Sequence, residues 1–200
     1  IEQVNNYLVN INTTKQSNEL SRSILTTAYN NFIERFDENF GGFGKAPKFP
    51  SSHNLIFLLR YHKMYNDIKA KTMVEKTLSQ MRLGGIYDHI GFGFHRYATD
   101  QKWFLPHFEK MLYDQAMISM AYLETYALTK RKEYAKTAEE IFTYALRDMA
   151  DQDGGFYSAE DADSEGEEGK FYVWSNNEII KILGFKEGQR FIDIFGFKKE

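Results

Sequence analysis

Three of the five histidines, His89, His95 and His107, lie within 19 residues of one another, together with Asp88, Arg96 and Trp103 and followed at once by Glu109, Lys110 and Asp114. Imidazoles that titrate near neutrality beside carboxylates are the equipment for moving a proton at a sugar carbon or carbonyl. Phe92–Tyr97 reads as a strand, so His95 and Tyr97 share one face while Phe94 and Arg96 share the other. Thr99–Lys102 reads as a turn and Trp103–Leu105 as the returning strand, a hairpin that would present an imidazole and a phenol together. Pro106 then reads as the start of a helix whose first turn carries His107 and Glu109, with Lys110 and Asp114 one turn apart. On this reading His95 and His107 exchange protons, Arg96 and Lys110 stabilise an enediolate, and Tyr97 and Trp103 hold the sugar ring. A structural reading competes: Lys110 and Asp114 form an i,i+4 ion pair, Glu109 satisfies a helix dipole, and each histidine anchors a loop.

A second group of candidates lies between residues 151 and 174, where Glu160, Asp161 and Asp163 are joined by Asp151, Asp153, Glu165, Glu167 and Glu168. Asp161–Gly166 imitates the opening of a calcium loop, but the twelfth position is Tyr172 where a bidentate glutamate is required, which excludes an EF-hand. Calcium held in another way stays open. Asp161 and Asp163 are a candidate acid and base for glycoside hydrolysis, with Asp88, Glu109 and Asp114 as further carboxylates for that role. Gly41–Pro50 contributes Lys45 and Lys48 as candidate ligand contacts beside Phe43 and Phe49. No Gly-Lys-Ser/Thr follows there, so it is no nucleotide cradle. Aromatic faces bordered by charged hydrogen-bonding groups suit a sugar.

Composition narrows the classes. Lys and Arg number 25 against 28 Asp and Glu, a net charge of −3, so no basic field steers the chain to nucleic acid. The longest uncharged apolar run, Leu55–Leu59, is far too short to span a bilayer. There is no cysteine, which removes disulfides, thiolate nucleophiles and Cys-ligated zinc and fits a reducing, cytoplasmic setting. Neither a metal nor a cofactor is expected.

These side chains must be positioned by helices, and helical periodicity comes in two alternating kinds. Residues 18 to 37, with Leu20, Ile24, Leu25, Ala28, Phe32 and Phe36 on one stripe, predict a surface helix. Residues 51 to 65, opened by Ser51 as N-cap, predict a helix buried nearly all round. Residues 67 to 82 carry an Ile68, Val74, Leu78, Met81 stripe and predict an outer helix. Residues 107 to 129, uncharged from Gln115 to Leu123, predict a second inner one. Residues 131 to 149 return to amphipathic, with Tyr134, Ala138, Ile141, Phe142, Ala145 and Met149 inward. Ser175–Glu178 is a capping box that opens a short helix stopping at Gly184, and a last helix covers 188 to 197. Phe171–Trp174 reads as a strand.

Links from inner to outer helices are short, whereas those from outer to inner are long and open on Gly41-Gly42-Phe43, Gly84-Gly85-Ile86 and Gly154-Gly155-Phe156. Helical hairpins stacked side by side gather all their long links at one end, and alternating buried and amphipathic helices form two layers. The fold class predicted is therefore all-α, a partial (α/α) toroid with small β-hairpins in the long loops. A closed ring of six pairs needs roughly twice this length, so the chain, which begins at Ile1, is expected to be about half a barrel. Its uncompleted face would be either covered by the missing half or left as an apolar patch.

Gly41–Pro50, Gly84–Ile90 with Gly93–Tyr97, Pro106–Ala116 and Tyr157–Ser164 closely resemble the motifs of the YyaL-like, spermatogenesis-associated-protein-20-like family, in order and across about residues 41 to 174. That resemblance implies a six-hairpin, glycosidase-like barrel related to the N-acylglucosamine 2-epimerases and preceded by a thioredoxin-like domain. Residues 1–16 would then be a linker or helix after that domain, and residues 17–200 the first part of the barrel. The implied partners are a sugar or sugar-like small molecule, the upstream thioredoxin-like domain and the missing barrel half. Phe92 departs from the family pattern, where many relatives have a third consecutive glycine. Isomerase- or epimerase-type proton transfer is the favoured activity. Glycoside hydrolysis by paired carboxylates and a non-catalytic scaffold attached to the thioredoxin-like module are the alternatives, and an isolated fragment is expected to be inactive.

Overall fold

The computed structural model describes residues 2–5 and 21–197. The chain divides into two compact units, residues 1–34 and 35–200. Most of helix α1 (Ser23–Arg35) lies in the first, and Ile24, expected on its buried stripe, is exposed. Leu20 and, apart from residues 2–5, the expected linker over 1–16 lie outside the described residues.

The second unit is built of antiparallel helical hairpins. Helix α2 (Ser52–Tyr65) turns through Asn66 in the left-handed conformation into α3 (Ile68–Leu83), and the Asp67 carboxylate caps α3 by accepting from the Ala70 amide. Helix α4 (Leu112–Thr129) turns in the same way through Lys130 into α5 (Lys132–Tyr144), which a π-helical turn, Ala145–Met149, prolongs. Helix α2 packs on α3 and α4, and α4 packs on α5. Leu55, Leu58, Met73, Val74, Leu78, Ile118, Ala121 and Ile141 are fully buried between them. The capping box at Ser175 and Glu178 opens α6 (Asn176–Leu183), and α7 (Phe185–Phe195) follows directly at Gly184. None of the described helices is long and apolar enough to cross a membrane.

Several boundaries differ from the sequence expectation. Ser51 has φ 46° and makes no side-chain cap. The second inner helix begins at Leu112 rather than at 107, because Pro106, His107 and Lys110 are drawn into strand pairing instead. Helix α7 starts three residues early, and Phe171–Trp174 forms no strand: Phe171 and Tyr172 lie in a turn, and Tyr172 and Val173 both donate to the Gly169 carbonyl. The inner helices are not buried all round: Met120 and Leu123 of α4 and Met64 of α2 are exposed. Ile68 and Phe142, placed on buried stripes by periodicity, are exposed as well. Periodicity reports which residues are apolar, and not how many neighbours are present to cover them.

The three glycine-led loops meet, as the stacking of hairpins requires. Lys48 in the first loop and Ala98 in the second exchange backbone hydrogen bonds of 2.8 and 2.9 Å. Strand β1 (Tyr97–Ala98) pairs antiparallel with β2 (Pro106–His107). Strand β3 (Lys110–Met111) pairs not with its own loop but with a third-loop strand, which is β6 (Ala159–Glu160) once β4 (Ala150–Asp151) and β5 (Gly155–Phe156) have formed a short ladder. A last ladder joins β7 (Asp163–Ser164) to β8 (Glu167–Glu168). Its turn residues, Glu165 and Gly166, both have positive φ, as a two-residue hairpin of this hand demands. Trp103 is no strand residue: it has φ 65°, is fully buried, and donates from its indole N–H to the Phe40 carbonyl.

Candidate functional site

The extended stretch from Pro106 to Met111 is the spine of the site. Successive side chains of extended backbone point to opposite faces, so Phe108 and Lys110 go one way and His107 and Glu109 the other. Each side meets a different set of partners, and two clusters result.

On the first side Lys110 is almost wholly buried. Its ammonium donates to Asp88 Oδ2 at 2.7 Å and to the Phe92 carbonyl at 2.9 Å, and lies 4.4 and 5.0 Å from the ring centres of Tyr144 and Tyr172. That Phe92 carbonyl belongs to a residue with φ 71°, a conformation that a glycine adopts more readily. Burial pushes the Asp88 carboxyl up, but the Lys110 ammonium and the Gly91 and Ile90 amides outweigh it and hold its pKa below the ordinary value. Glu160 stands opposite Lys110 in the β3–β6 register yet does not pair with it. Its two oxygens accept instead from the phenols of Tyr144 at 2.6 Å and Tyr172 at 2.7 Å. Burial, then the Glu160 hydrogen bonds, hold both phenols well above their ordinary pKa. This cluster lines a cleft of about 510 Å³ whose walls include Arg147, Asp148, Tyr157 and Phe171. An adjoining cleft of about 530 Å³ shares Asp88, Gly91, Phe171 and Tyr172 and extends past Lys170 to Trp174 and Glu178.

His95 sits behind these tyrosines. Its ring meets Tyr172 edge-on at 4.8 Å and Phe108 at 5.3 Å, and Nδ1–H donates to the Phe108 carbonyl at 3.1 Å. Burial, helped by the Lys110 ammonium, pushes its pKa down to about 4, so the imidazole is neutral at physiological pH.

On the other side His107 stacks on Tyr97, with ring centres 5.0 Å apart, and Tyr97 meets Phe49 at 4.8 Å. Nδ1–H donates to Glu168 at 2.6 Å, while Nε2 lies 3.4 Å from Glu109. Glu109 also accepts from Arg96 at 2.6 Å. The phenol beside an imidazole that the hairpin pattern predicts is therefore Tyr97 with His107, and not with His95. Neither histidine lines the two clefts. Asp114, near Arg96, does not pair with Lys110, and its buried Oδ2, like Arg96 Nε, has no partner among the described residues. Burial pushes the Asp114 pKa up to about 7 against a smaller opposing effect of Arg96.

A pH dependence follows from Asp114. The folded state keeps this proton up to about pH 7, whereas an unfolded chain releases it near 4, so its contribution to stability falls as pH rises across that window. Asp114→Asn mimics the neutral acid and removes the titration. It should gain about 1–2 kcal/mol relative to the parent between pH 5 and pH 8, a figure reduced for the group's partial exposure. Urea unfolding at both pH values measures it, and a difference that does not change with pH would count against the raised pKa.

The remaining candidates are dispersed. Lys45 is exposed. Lys48 is fully buried, donating to Asp37 at 2.7 Å and to the Gln101 carbonyl at 2.9 Å, and Trp103 packs beneath it. Asp161 and Asp163 are both exposed, and Asp161 accepts from the Asp163 amide. Among the described residues no group of acids and histidines is arranged to hold a metal ion. Tyr144 and Tyr172 carry no marker in the sequence: the first falls on an amphipathic helix, the second enters as the residue that breaks a calcium pattern and within an expected strand.

No family model matches the chain. It is 46% identical over 160 residues to spermatogenesis-associated protein 20 of Mus musculus, a match covering 75% of this chain and 20% of that protein. It is 42% identical over 180 residues to an uncharacterised protein of Caenorhabditis elegans, covering 84% of this chain and 25% of that one. The chain thus spans about a fifth to a quarter of the length of these curated relatives. Among solved structures, cellobiose 2-epimerase from Bacillus thermoamylovorans superposes with a TM-score of 0.60 at 11% identity, covering 86% of this chain and 54% of the enzyme. A family 76 glycoside hydrolase from a bovine Bacteroides thetaiotaomicron strain superposes with a TM-score of 0.51 at 16% identity, over 72% and 33% of the two chains. These superpositions establish the fold as the (α/α) toroid of sugar epimerases and glycosidases.

Proposed function

We propose that this chain, a relative of spermatogenesis-associated protein 20 over three quarters of its length, carries part of the sugar-binding rim of a carbohydrate-active barrel, and that its reaction is a proton transfer of isomerase or epimerase type. The observation that carries the choice is how the cleft's carboxylates are held. Asp88 is ringed by the Lys110 ammonium and two amides, and Glu160 by two phenols. Asp88 is held ionised, and both oxygens of Glu160 are taken up as acceptors, so neither is placed to protonate a glycosidic leaving group, which inverting and retaining hydrolysis both demand. A buried ammonium at the wall of the same cleft is what an enediolate oxygen needs for stabilisation. In this reading Glu160 and the Tyr144 and Tyr172 phenols handle the proton, Lys110 meets the developing oxyanion, and neutral His95 supports Tyr172 from behind. Toroid neighbours that are named as sugar epimerases support the reading at the level of fold.

Glycoside hydrolysis remains as a second reading because Asp114, with a pKa of about 7, is a carboxylic acid with a proton to give near neutrality. One experiment separates the two. The full-length protein is incubated with mono- and disaccharides in deuterium oxide. Deuterium appearing at the carbon beside the sugar carbonyl supports proton transfer, and new reducing ends without deuterium support hydrolysis. A sugar that binds and undergoes neither change would leave the barrel a binding scaffold.

A further inference from the structure

Each cation on the walls of the two adjoining clefts already has a carboxylate. Lys110 is bound to Asp88 at 2.7 Å. Arg147 engages Asp148, with Nε 2.9 and 3.0 Å from its two oxygens, and spends Nη2 on that same carboxylate and on the Gly91 carbonyl. Lys170 lies 2.8 Å from Glu165 and 3.9 Å from Glu167. Two carboxylates of the lining are then left over, Glu160 on its phenols and Glu178 on Ser175. Between these walls are three aromatic faces open to solvent, Tyr157, Phe171 and Trp174.

A phosphate or carboxylate on a ligand would have to displace an internal partner from one of the three cations, and would do so in a site with an excess of negative charge. An uncharged ligand meets no such penalty. Its hydroxyls can donate to the surplus carboxylates, and its C–H faces can lie on the exposed rings. Resting on the reading of this cleft as a sugar site, we propose that it selects neutral sugars and rejects phosphorylated and acidic ones.

The test uses matched pairs on the full-length protein: glucose, glucose 6-phosphate and glucuronate, with the corresponding mannose series, each titrated calorimetrically at fixed ionic strength. Neutral members are expected to bind at least about tenfold more tightly than their anionic partners. Asp148→Asn, which frees the Arg147 guanidinium, should narrow that ratio chiefly by improving the anionic member. Anionic members that bind as well as or better than neutral ones would overturn the selectivity while leaving the cleft a sugar site. Binding of no sugar from either series would overturn the sugar reading itself, and the selectivity with it. A ratio that Asp148→Asn leaves unchanged would also count against the proposal, since the discrimination would then arise elsewhere.

Discussion

Lys110→Met is expected to destabilise the protein by about 3–5 kcal/mol, the range typical for removing one partner of a buried ion pair. The loss goes beyond one hydrogen bond. Asp88 has already been taken out of water, and the ammonium is the largest influence that keeps its carboxyl ionised there. Two amides still hold it in the variant, but they do not neutralise its charge. The two tyrosine rings lose the cation between them, and the Phe92 carbonyl loses its donor. Asp88→Asn combined with Lys110→Met removes both charges, so the double variant should be more stable than Lys110→Met alone, and urea unfolding of the parent, the two single variants and the double variant measures the coupling. The acid side offers an independent check. A carboxyl whose pKa is depressed on folding stabilises the protein above the ordinary carboxylate range, and that contribution is lost as pH falls through the depressed value. Without Lys110 the Asp88 pKa rises, so acid unfolding should begin at higher pH in Lys110→Met. A variant as stable as the parent, with the same acid transition, would show the pair to be energetically idle.

Why the sequence predicts the scaffold better than the cluster can be seen in these same residues. Helical hairpins and Gly-Gly openings are local signals: 3.6-residue spacing and a glycine pair after a helix are written within a few positions, although Gly84 leaves its helix in extended conformation at φ −80° and not left-handed. Once hairpins are stacked, the gathering of three loops at one end follows from connectivity alone, and the Lys48–Ala98 and Lys110–Glu160 pairings realise it. What is not local is which partner a side chain takes. Lys110 has a carboxylate four residues ahead at Asp114, the spacing of a helical ion pair, but the helix does not begin until Leu112 and the partner chosen is Asp88. Pro106 is equally suited to a first helical turn and to a strand edge, and pairing with Ala98 decides between them. The three clustered histidines stand out by chemistry, whereas burial makes His95 a neutral support and His107 lies on the face away from the clefts. The tyrosines that organise Lys110 are legible only when the end of α5 and the turn that follows β8 are seen beside β3.

Gly93→Ala should produce the other large effect, and for reasons that join the backbone to the site. Gly93 has φ +78°, and a Cβ there would lie 2.6 Å from Tyr144 Cδ1 and 3.0 Å from Cγ. The left-handed conformation costs a residue with a side chain about 1–2 kcal/mol, and forcing a methyl against a packed ring adds about 1–3 kcal/mol. Tyr144 cannot yield freely, because its hydroxyl is bound to Glu160 and its face to Lys110. Relief must therefore come from moving Asp88, whose amide donates to the Gly93 carbonyl, or from breaking the Tyr144–Glu160 bond. Gly154→Ala is the matched control: its φ is +93°, but nothing lies within 4 Å of the added Cβ, so only the backbone cost applies. Gly93→Ala is thus expected to lose about 2–5 kcal/mol, and Gly154→Ala about 1–2 kcal/mol. Sugar binding by the full-length protein should weaken in the first and persist in the second. Equal destabilisation by the two substitutions would mean that Tyr144 adapts at no cost, and the rigidity assigned to the Lys110 cluster would have to be given up.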